Sequence, residues 1–490
     1  MAVFLAAYCL HQGPVPDTLA QRLCTILAPA GNAELHVNGA CAVAYVDLGL
    51  WPGSSAHSDE NSFTIIGGDP VLCDGNQTYG RSEGMARLTQ DIITRGEGAL
   101  RNAEGTFAGL VLDRQGSRLQ VFTDKMGVRP IYWAQTDSHV FVSSSFWALH
   151  ALPGLNQRPN WQAAAETAAF GYPLGNRTLV EPLAVLGGGR SLCIDKTGVN
   201  NAVYWDWSQL TPNNLHGAAL LTHIEQSFHD AVDRRCQGQT EVMAFLSGGM
   251  DSRLIVSRLR ERGLRVHSLN FAPEGSQDLV FGRMVAEQLG CKHFEFGRGD
   301  LDFSERQTAA TKAWEQINSE VSGHPEKLGL VWSGDGGSVG LGHVYLSSAA
   351  VAISRRQGLR AAALELQRVN KTRISPLLLR SAWRHLADLP LKGILEDLQS
   401  RPTMEPGRSC HLFYMLNDQR RHLTQHFETL HLRRVDLVLP FFDGRFLTAV
   451  LTSPVDEFLE HRLYNDLMKR LPMGGGQVPW QAYPGHLPCP

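Results

Sequence analysis

The segment VMAFLSGGMDSRLIVSRLRERG, residues 242–263, contains the change of pattern that decides the fold. Its apolar run, 242–246, predicts a buried strand, and the Ser-Gly-Gly turn at 247–249 ends that strand. Asp251 stands in the turn, and from the next residue the apolar spacing is helical until Gly263. A strand followed directly by a glycine turn and a helix is typical of a parallel α/β sheet.

The sequence on either side of this segment extends the same alternation. Residues 220–236 have helical apolar spacing, 264–271 predict a strand, 279–290 a helix and 291–296 another strand. Residues farther along, 345–400 and 411–430, predict mainly helices. The second half of the chain is therefore expected to be a parallel α/β domain with a helical C-terminal part.

Residues 1 to about 205 follow a different pattern of short strands and turns. The stretch 62–70 ends in a Gly-Gly-Asp turn, and 105–124 reads as two strands joined by Arg-Gln-Gly-Ser, a hairpin signal. The apolar first residues, MAVFLAAYCL, lack the positive region of a signal peptide and are too short to span a bilayer. We therefore expect a β-rich layered domain that begins with a strand.

The overall composition excludes several classes of protein. The formal net charge of −3 over 490 residues predicts no nucleic-acid-binding surface, and no apolar run predicts a membrane span. Nine widely spaced cysteines form no CxxC pair, so neither zinc nor a disulfide framework is expected and the cytoplasm is the predicted location. A group of arginines is interpreted as a solvated helical face: Arg355, Arg356, Arg360, Arg368, Arg373, Arg380 and Arg384.

The glycine turn after the first strand of the sheet suits the binding of a phosphate chain. Ligands of an open α/β sheet bind beyond the carboxyl ends of its strands, where glycines allow close approach and helix N-termini attract anions. Ser247 adds a hydroxyl, and Asp251 offers the carboxylate that Mg²⁺ takes beside substrate phosphates. The loop is not a Walker motif, because no lysine closes it.

A second glycine loop has the same composition. Residues 331–340, VWSGDGGSVG, again place Ser-Gly and an acid, Asp335, after an apolar strand. Two such loops on neighbouring strands are expected to line one nucleotide pocket. Asp278, just before a predicted helix, is interpreted as an N-cap.

These motifs resemble the asparagine synthetase family. SGGMDS resembles the pyrophosphate loop that the family shares with ATP pyrophosphatases, and SGDGGS and LPFFDGRFL resemble two later family segments. EGTFAGLVLD, TDKMGVRPIYW and FVSSSFWAL resemble its glutaminase domain. The resemblance implies an αββα Ntn-hydrolase-like glutaminase domain over residues 1–205 and an ATP-pyrophosphatase domain with a helical C-terminal part over residues 206–490.

The resemblance also implies roles for individual residues. Asp251 would bind Mg²⁺, Ser333 and Gly334 would lie near the adenosine of ATP, and Asp335 would act as the base that deprotonates the amine. The pyrophosphate would be held by the first loop: Ser247, Gly248, Gly249, Asp251 and Ser252.

Three family positions are altered in this chain. Ala2 stands where the glutaminase has its N-terminal cysteine, so no glutamine hydrolysis is expected, and Cys9 is interpreted as a strand thiol rather than a replacement. Ser338 stands where the family has a second metal-binding Asp, and a hydroxyl is a weaker ligand for a hard cation. Tyr483 stands near the place of a lysine that stabilises the adenylate, with Lys469 and His486 nearby in sequence.

The predicted function is an ATP- and Mg²⁺-dependent ligase that adenylates a carboxylate and joins it to an amine without glutamine hydrolysis, as in β-lactam synthetases and lasso-peptide cyclases. Two alternatives stay open: a glutamine-hydrolysing asparagine synthase, as the family name implies, and a catalytically weak ATP-binding homologue. The substrates would be small-molecule or peptide carboxylates and amines, with no nucleic-acid or membrane partner. A homodimer is an open alternative for the assembly.

Overall fold

The computed structural model describes residues 2–11, 13–74, 77–114, 118–297, 305–320, 329–369 and 380–481. They form two compact units, each built from two stretches of chain. The first unit comprises Met1–Gln209 and Ser348–His431, and the second comprises Leu210–Ser347 and Leu432–Pro490.

The strands of the described chain are β1 (Ala2–Cys9), β2 (Glu34–Asn38), β3 (Cys41–Asp47), β4 (Ala56–Ser58), β5 (Ser62–Gly68), β6 (Val71–Asp74), β7 (Gln77–Thr78), β8 (Ala103–Glu104), β9 (Phe107–Asp113), β10 (Arg118–Thr123), β11 (Tyr132–Gln135), β12 (His139–Ser143), β13 (Arg158–Pro159), β14 (Val180–Glu181), β15 (Ala184–Val185), β16 (Arg190–Asp195), β17 (Gly198–Val203), β18 (Glu241–Phe245), β19 (Arg265–Asn270), β20 (Lys292–Glu295), β21 (Leu330–Trp332) and β22 (Asp436–Val438).

The α-helices are α1 (Asp17–Leu27), α2 (Arg81–Arg95), α3 (Phe146–His150), α4 (Trp161–Phe170), α5 (Gly217–Arg235), α6 (Asp251–Glu261), α7 (Gln277–Gln288), α8 (Glu305–Glu320), α9 (Gly337–Gly340), α10 (Ser348–Gln357), α11 (Leu359–Val369), α12 (Leu389–Gln399), α13 (Pro406–Tyr414), α14 (Arg420–His422), α15 (Thr424–Glu428), α16 (Leu430–Arg433), α17 (Gly444–Thr452) and α18 (Arg462–Lys469). Short 3₁₀ segments include Pro440–Phe442 and Leu459–His461.

Two antiparallel sheets of six strands form the centre of the first unit. Their strand orders are β15-β11-β12-β1-β3-β2 and β17-β16-β10-β9-β5-β4. Side chains from both sheets share one buried core, among them Phe4, Val43, Leu110 and Val121. Helix α1 packs on β1 and β3, and α2 packs its buried face on β9. The predicted αββα layering, its first strand and its 105–124 hairpin are confirmed.

The helices from residue 348 to residue 431 pack with this sandwich. Helix α12 lies against α4. The buried guanidinium of Arg420 donates to the carbonyl oxygen of Leu186 at 2.6 Å, and Glu428 accepts from the Ser145 hydroxyl at 2.6 Å. The first unit thus includes residues 348–431, which the sequence prediction had placed in the 206–490 domain. They join the first unit because their buried polar groups find their partners in the sandwich. As a functional division, the boundary at 205 stays a prediction.

A five-stranded parallel sheet forms the centre of the second unit, with the order β20-β19-β18-β21-β22. Most residues of β18, β19 and β21 are buried, as expected for strands covered by helices on both faces. Helices α6 and α7 connect β18, β19 and β20 in sequence. The strand-helix alternation that the sequence predicted is confirmed.

Several composition-based expectations can be compared with the structure. Among the described residues, no helix combines the length and the apolar character needed to cross a bilayer. The eight cysteines within the described chain are free thiols. The arginines interpreted as a solvated face are exposed wherever they are described: Arg355, Arg356, Arg360, Arg368, Arg380 and Arg384. Arg373 lies outside the described residues.

Candidate active site

The two glycine loops meet at the point where the order of the sheet reverses. From β18 the chain passes to β19 and β20 on one side, and it later returns as β21 on the other side of β18. The parallel partners Met243–Val331 and Ala244–Trp332 put the ends of β18 and β21 side by side. Crevices at such switch points are where open α/β sheets bind ligands. The predicted neighbourhood of the two loops is therefore confirmed.

Serine hydroxyls shape the first loop from within. The Ser252 hydroxyl accepts the backbone N–H of Ser247 at 3.0 Å and lies 3.1 Å from the Ser247 hydroxyl, which in turn accepts the N–H of Gly249 at 3.2 Å. A Cβ at Gly248 would stand 2.6 Å from the carbonyl oxygen of Gln277, so only glycine fits against the start of α7. The loop is therefore held in a fixed form before any ligand arrives.

Asp278 supports this loop instead of capping its own helix. The N-cap of α7 is Ser276, whose hydroxyl accepts from the N–H of Leu279 at 3.3 Å, so the cap interpretation of Asp278 is wrong. The Asp278 carboxylate accepts from the backbone N–H of Gly248, which partly offsets the rise in its pKa that burial causes. An acid in the first turn of α7 thus fixes the glycine turn after β18.

Asp251 begins α6 and lies half-buried between the two loops. The Tyr464 hydroxyl donates to its Oδ1, and the Ser338 backbone N–H also donates to its carboxylate. Burial raises the pKa of Asp251 to about 7, the charge of Asp335 raises it as well, and both hydrogen bonds oppose the rise. No described Lys, Arg or His forms an ion pair with this carboxylate.

Two glycines let the second loop lie directly against Asp251. A Cβ at Gly334 would be 2.8 Å from the Cβ of Asp251, and a Cβ at Gly337 would be 2.5 Å from its Oδ1. Any side chain at either position would push the second loop away. The glycines of SGDGGS therefore bring two strands' loops together, a role that the sequence alone left unassigned.

Asp335 has charged surroundings. Its Oδ2 accepts from the Arg306 guanidinium at 2.6 Å and from the Ser333 hydroxyl at 2.5 Å. The Arg306 guanidinium also lies over the ring of Phe245, 5.6 Å from its centre. Sequence reasoning missed Arg306, because it lies on α8 in a segment that matches no motif and reaches the site only by folding.

The surroundings of Asp251 suit a magnesium ion. Mg²⁺ binds through one or two carboxylates together with substrate phosphates, and Asp251 offers a carboxylate bonded to neutral donors. Ser338, in place of the family's second metal-binding Asp, lies beside Asp251 but contributes its backbone N–H. The described residues hold no group of three or more His, Cys, Asp or Glu that could bind a metal by themselves. The donor set therefore fits an ion that the nucleotide helps to bind.

Lys469 of α18 and the segment that ends at Gln481 lie near the sequence position where the resemblance implies a lysine. Lys469 pairs with Asp466 at 2.9 Å on an exposed part of α18. Tyr483 and His486 lie outside the described residues. The segment before them packs on the first loop, where the Arg253 guanidinium donates to the Pro479 carbonyl oxygen at 2.8 Å and the Gln481 N–H donates to that of Gly248 at 3.3 Å.

Asp443 of LPFFDGRFL has a structural environment. It caps α17 by accepting from the backbone N–H of Arg445 at 3.0 Å. It also pairs with Arg234 at 2.8 Å and with Arg235 at 2.9 Å. Although burial alone would raise the pKa of Asp443, these two guanidinium groups lower it.

The start of the first unit has no nucleophile at position 2. Ala2 is buried in β1 and pairs with Asp47 of β3. Cys9 lies at the other end of β1, about 23 Å from Ala2 at the usual rise per strand residue. The Cys9 thiol packs beside the sandwich core and donates weakly to the His11 carbonyl oxygen at 3.6 Å.

Comparisons with known proteins match both halves of the chain. Residues 223–326 match the asparagine synthase family, and residues 78–205 match the glutamine amidotransferase domain family. Glutamine-hydrolysing asparagine synthetase 3 of Bacillus subtilis is 24% identical over 183 residues. The match covers 36% of this chain and 29% of the relative. The glutamine-hydrolysing asparagine synthetase of Brassica oleracea is 27% identical over 213 residues, covering 41% and 31%.

The chain therefore spans only part of these relatives' length. It covers 49% of a putative glutamine-hydrolysing asparagine synthetase of Methanocaldococcus jannaschii, and smaller shares of the two relatives above. Among solved structures, the glutamine phosphoribosylpyrophosphate amidotransferase of B. subtilis aligns with 60% of this chain and 90% of its own at 12% identity. Its TM-score of 0.29 is too low to support an inference.

Proposed function

We propose that this chain, which belongs to the asparagine synthetase family, is an ATP-dependent ligase that forms an amide bond without hydrolysing glutamine. One observation carries the proposal: two glycine loops at the switch point of a parallel sheet lie against a half-buried acid, Asp251. That arrangement suits a nucleotide whose phosphates and metal are gripped together.

The proposed reaction has two steps. The substrate carboxylate attacks the α-phosphorus of ATP, the bond between the α- and β-phosphates breaks, and pyrophosphate leaves. The amine then attacks the acyl carbon of the adenylate, Asp335 accepts the amine's proton, and AMP leaves. Mg²⁺, held by Asp251, would neutralise the charge that develops on the phosphates.

The chain's own residues divide this work in the proposal. The loop Ser247, Gly248, Gly249 and Ser252 would receive the pyrophosphate, since its backbone already has a fixed form. Ser333 and Gly334 would lie near the adenosine. Asp335, which pairs with Arg306, would receive the amine's proton on its carboxylate. Arg306 also supplies a positive charge beside the second loop.

The absence of glutamine hydrolysis is proposed from the first unit. The resemblance implies a thiol nucleophile at the first residue of β1, and Ala2 offers a buried methyl group there. The family relatives named above are glutamine-hydrolysing, which favours the alternative of a complete asparagine synthase. Ala2 opposes that alternative, so ammonia or an amino group of the substrate would serve as the amine.

Pyrophosphate exchange into ATP tests the first step. The assay would use labelled pyrophosphate, Mg²⁺, no glutamine and a panel of amino-acid and peptide carboxylates. We expect at least one carboxylate to support exchange above the carboxylate-free background. If none does, while ATP binds equally well to the wild type and to Asp251→Ala, the protein is a weak nucleotide binder and the ligase proposal is wrong.

Glutamate release tests the second claim. The wild type and Cys9→Ala, which differ only in the one thiol of β1, would be incubated with glutamine and ATP. Both are expected to release glutamate at the protein-free rate. Release above that rate by the wild type and not by Cys9→Ala would show that Cys9 is a nucleophile after all.

The proposed location and partners of the protein follow from the chemistry of its residues. We place the protein in the cytoplasm, where the free thiols of its described cysteines would persist. Its partners would be small-molecule or peptide substrates, without nucleic acid or membrane. Sedimentation of the purified chain would decide whether it forms a homodimer.

A further inference from the structure

Helix α18 places one polar aromatic side chain against the acid of the first loop. Tyr464 is 1% exposed, and its hydroxyl donates to Oδ1 of Asp251. The two residues are 213 positions apart and Tyr464 belongs to no motif, so neither the sequence nor the proposed reaction assigns it a role. A buried phenol of this kind usually needs a partner, and here the partner is the candidate metal ligand.

The backbone is strained at the two residues that precede α18, the helix that carries Tyr464. Glu460 and His461 have φ values of 60° and 61°, in the left-handed region that side chains other than glycine rarely adopt. Two successive residues in that region persist only where the surrounding structure imposes them. His461 is itself buried, with its ring 6.0 Å from that of Tyr464.

Gly342, which follows α9, packs against the other side of this phenol. A Cβ at Gly342 would lie 3.1 Å from Cδ1 of Tyr464 and 3.1 Å from Nε2 of His461, so the backbone there already packs tightly against both rings. The ring of Tyr464 therefore has little freedom to turn. Its hydroxyl holds one oxygen of Asp251 in a set direction.

A neutral donor has a particular advantage at a cation-binding acid. An ionised carboxylate has about four acceptor sites on its two oxygens. The Tyr464 hydroxyl and the Ser338 amide fix the carboxylate without adding positive charge that would repel a cation. An arginine in the same place would fix it equally well but would weaken cation binding.

We propose that Tyr464 is a positioning residue that orients the Asp251 carboxylate for the metal-bound nucleotide, an inference that rests on the proposed function of the site. Tyr464→Phe keeps the ring and removes the hydrogen bond. Since Asp251 would then lose one of the two hydrogen bonds that orient its carboxylate, we expect Mn²⁺, used as a spectroscopic substitute for Mg²⁺, to bind about tenfold more weakly in the presence of a nonhydrolysable ATP analogue.

Tyr204→Phe is the matched control. Tyr204 is also buried, and its hydroxyl donates to the Thr123 carbonyl oxygen at 2.6 Å in the first unit. Both variants lose a buried phenol hydrogen bond, so both should lower the melting temperature by a similar amount. Only Tyr464→Phe should weaken Mn²⁺ binding, measured by electron paramagnetic resonance, and raise the Mg²⁺ concentration needed for half-maximal exchange.

Equal Mn²⁺ affinities in Tyr464→Phe, Tyr204→Phe and the wild type would overturn the proposal and leave Tyr464 a packing residue. The binding measurement requires no turnover, so it separates this inference from the ligase proposal. Tight Mn²⁺–nucleotide binding that depends on Tyr464, in a protein that supports no exchange, would sustain the positioning role and reject the ligase.

Discussion

Asp251 and Asp335 follow neighbouring strands of one sheet, yet the protein surrounds them differently. Asp251 accepts hydrogen bonds from the neutral Tyr464 hydroxyl and Ser338 amide. Asp335 pairs with the Arg306 guanidinium and also accepts from the Ser333 hydroxyl. Neutral donors direct a carboxylate and leave its charge to attract a cation, whereas an arginine compensates much of that charge.

Asp443 extends the comparison to a third acid of the same unit, and this one is fully buried. It is paired with two guanidinium groups and caps a helix, so its charge is neutralised by partners within the fold. Motif resemblance drew attention to all three acids alike. Their partners, rather than their place in a glycine loop or turn, distinguish a cation ligand, a candidate base and a structural acid.

The largest effect is expected at the acid with neutral partners. Asp251→Asn should reduce Mg²⁺-dependent exchange about a thousandfold, because a metal contributes several kcal/mol of charge stabilisation and about 1.36 kcal/mol corresponds to tenfold. Glu261→Gln, at the exposed end of the same helix α6, is the matched control and should exchange normally. Unchanged exchange in Asp251→Asn would remove this acid from the site and erase the contrast with Asp335.

The next effect is on stability and concerns the acid with two arginines. Asp443→Asn keeps a side chain that caps helices well but removes the charge, so unfolding should cost about 3 kcal/mol less at pH 7. Urea titration of both variants would measure these changes. Asp466→Asn, which breaks an exposed pair with Lys469, should change the free energy of unfolding by about 0.5 kcal/mol or less. Similar losses of unfolding free energy in both variants would show that the buried Asp443 pairs stabilise the protein no more than an exposed pair does.

The same variant has an expected pH dependence. Because Arg235 and Arg234 outweigh burial, the pKa of Asp443 is lower in the folded protein than in the unfolded chain. The stability that this difference contributes is fully present above the unfolded value of about 3.9 and is lost as the pH falls through the lower folded value. Acidification below about pH 4 should therefore destabilise the wild type more than Asp443→Asn.

These environments mark the limit of what the sequence could predict. The strand before Ser247 and the glycine turn are encoded locally, so periodicity and glycine placement were sufficient to predict both loops and their approach. Tyr464 and Arg306 reach the site from distant helices, and nothing in their own segments signals that contact. Residues 348–431 join the first unit for the same reason, since their buried polar groups find partners far away in sequence.

The smallest effect should separate the two steps of the proposed reaction at Asp335. Hydroxylamine is unprotonated at neutral pH and needs no base to trap an acyl-adenylate, whereas an ammonium or alkylammonium substrate must first lose a proton. Asp335→Asn should therefore form the hydroxamate nearly as fast as the wild type but the natural amide about a hundredfold more slowly. Arg306→Lys keeps the positive charge beside Asp335, so its loss in the amide step should be smaller, and Arg283→Lys, at the exposed pair with Glu295, should show none. Equal losses of hydroxamate and amide in Asp335→Asn would mean that both acids serve the adenylation step, and the different partners of Asp251 and Asp335 would then reflect packing rather than a division of chemistry.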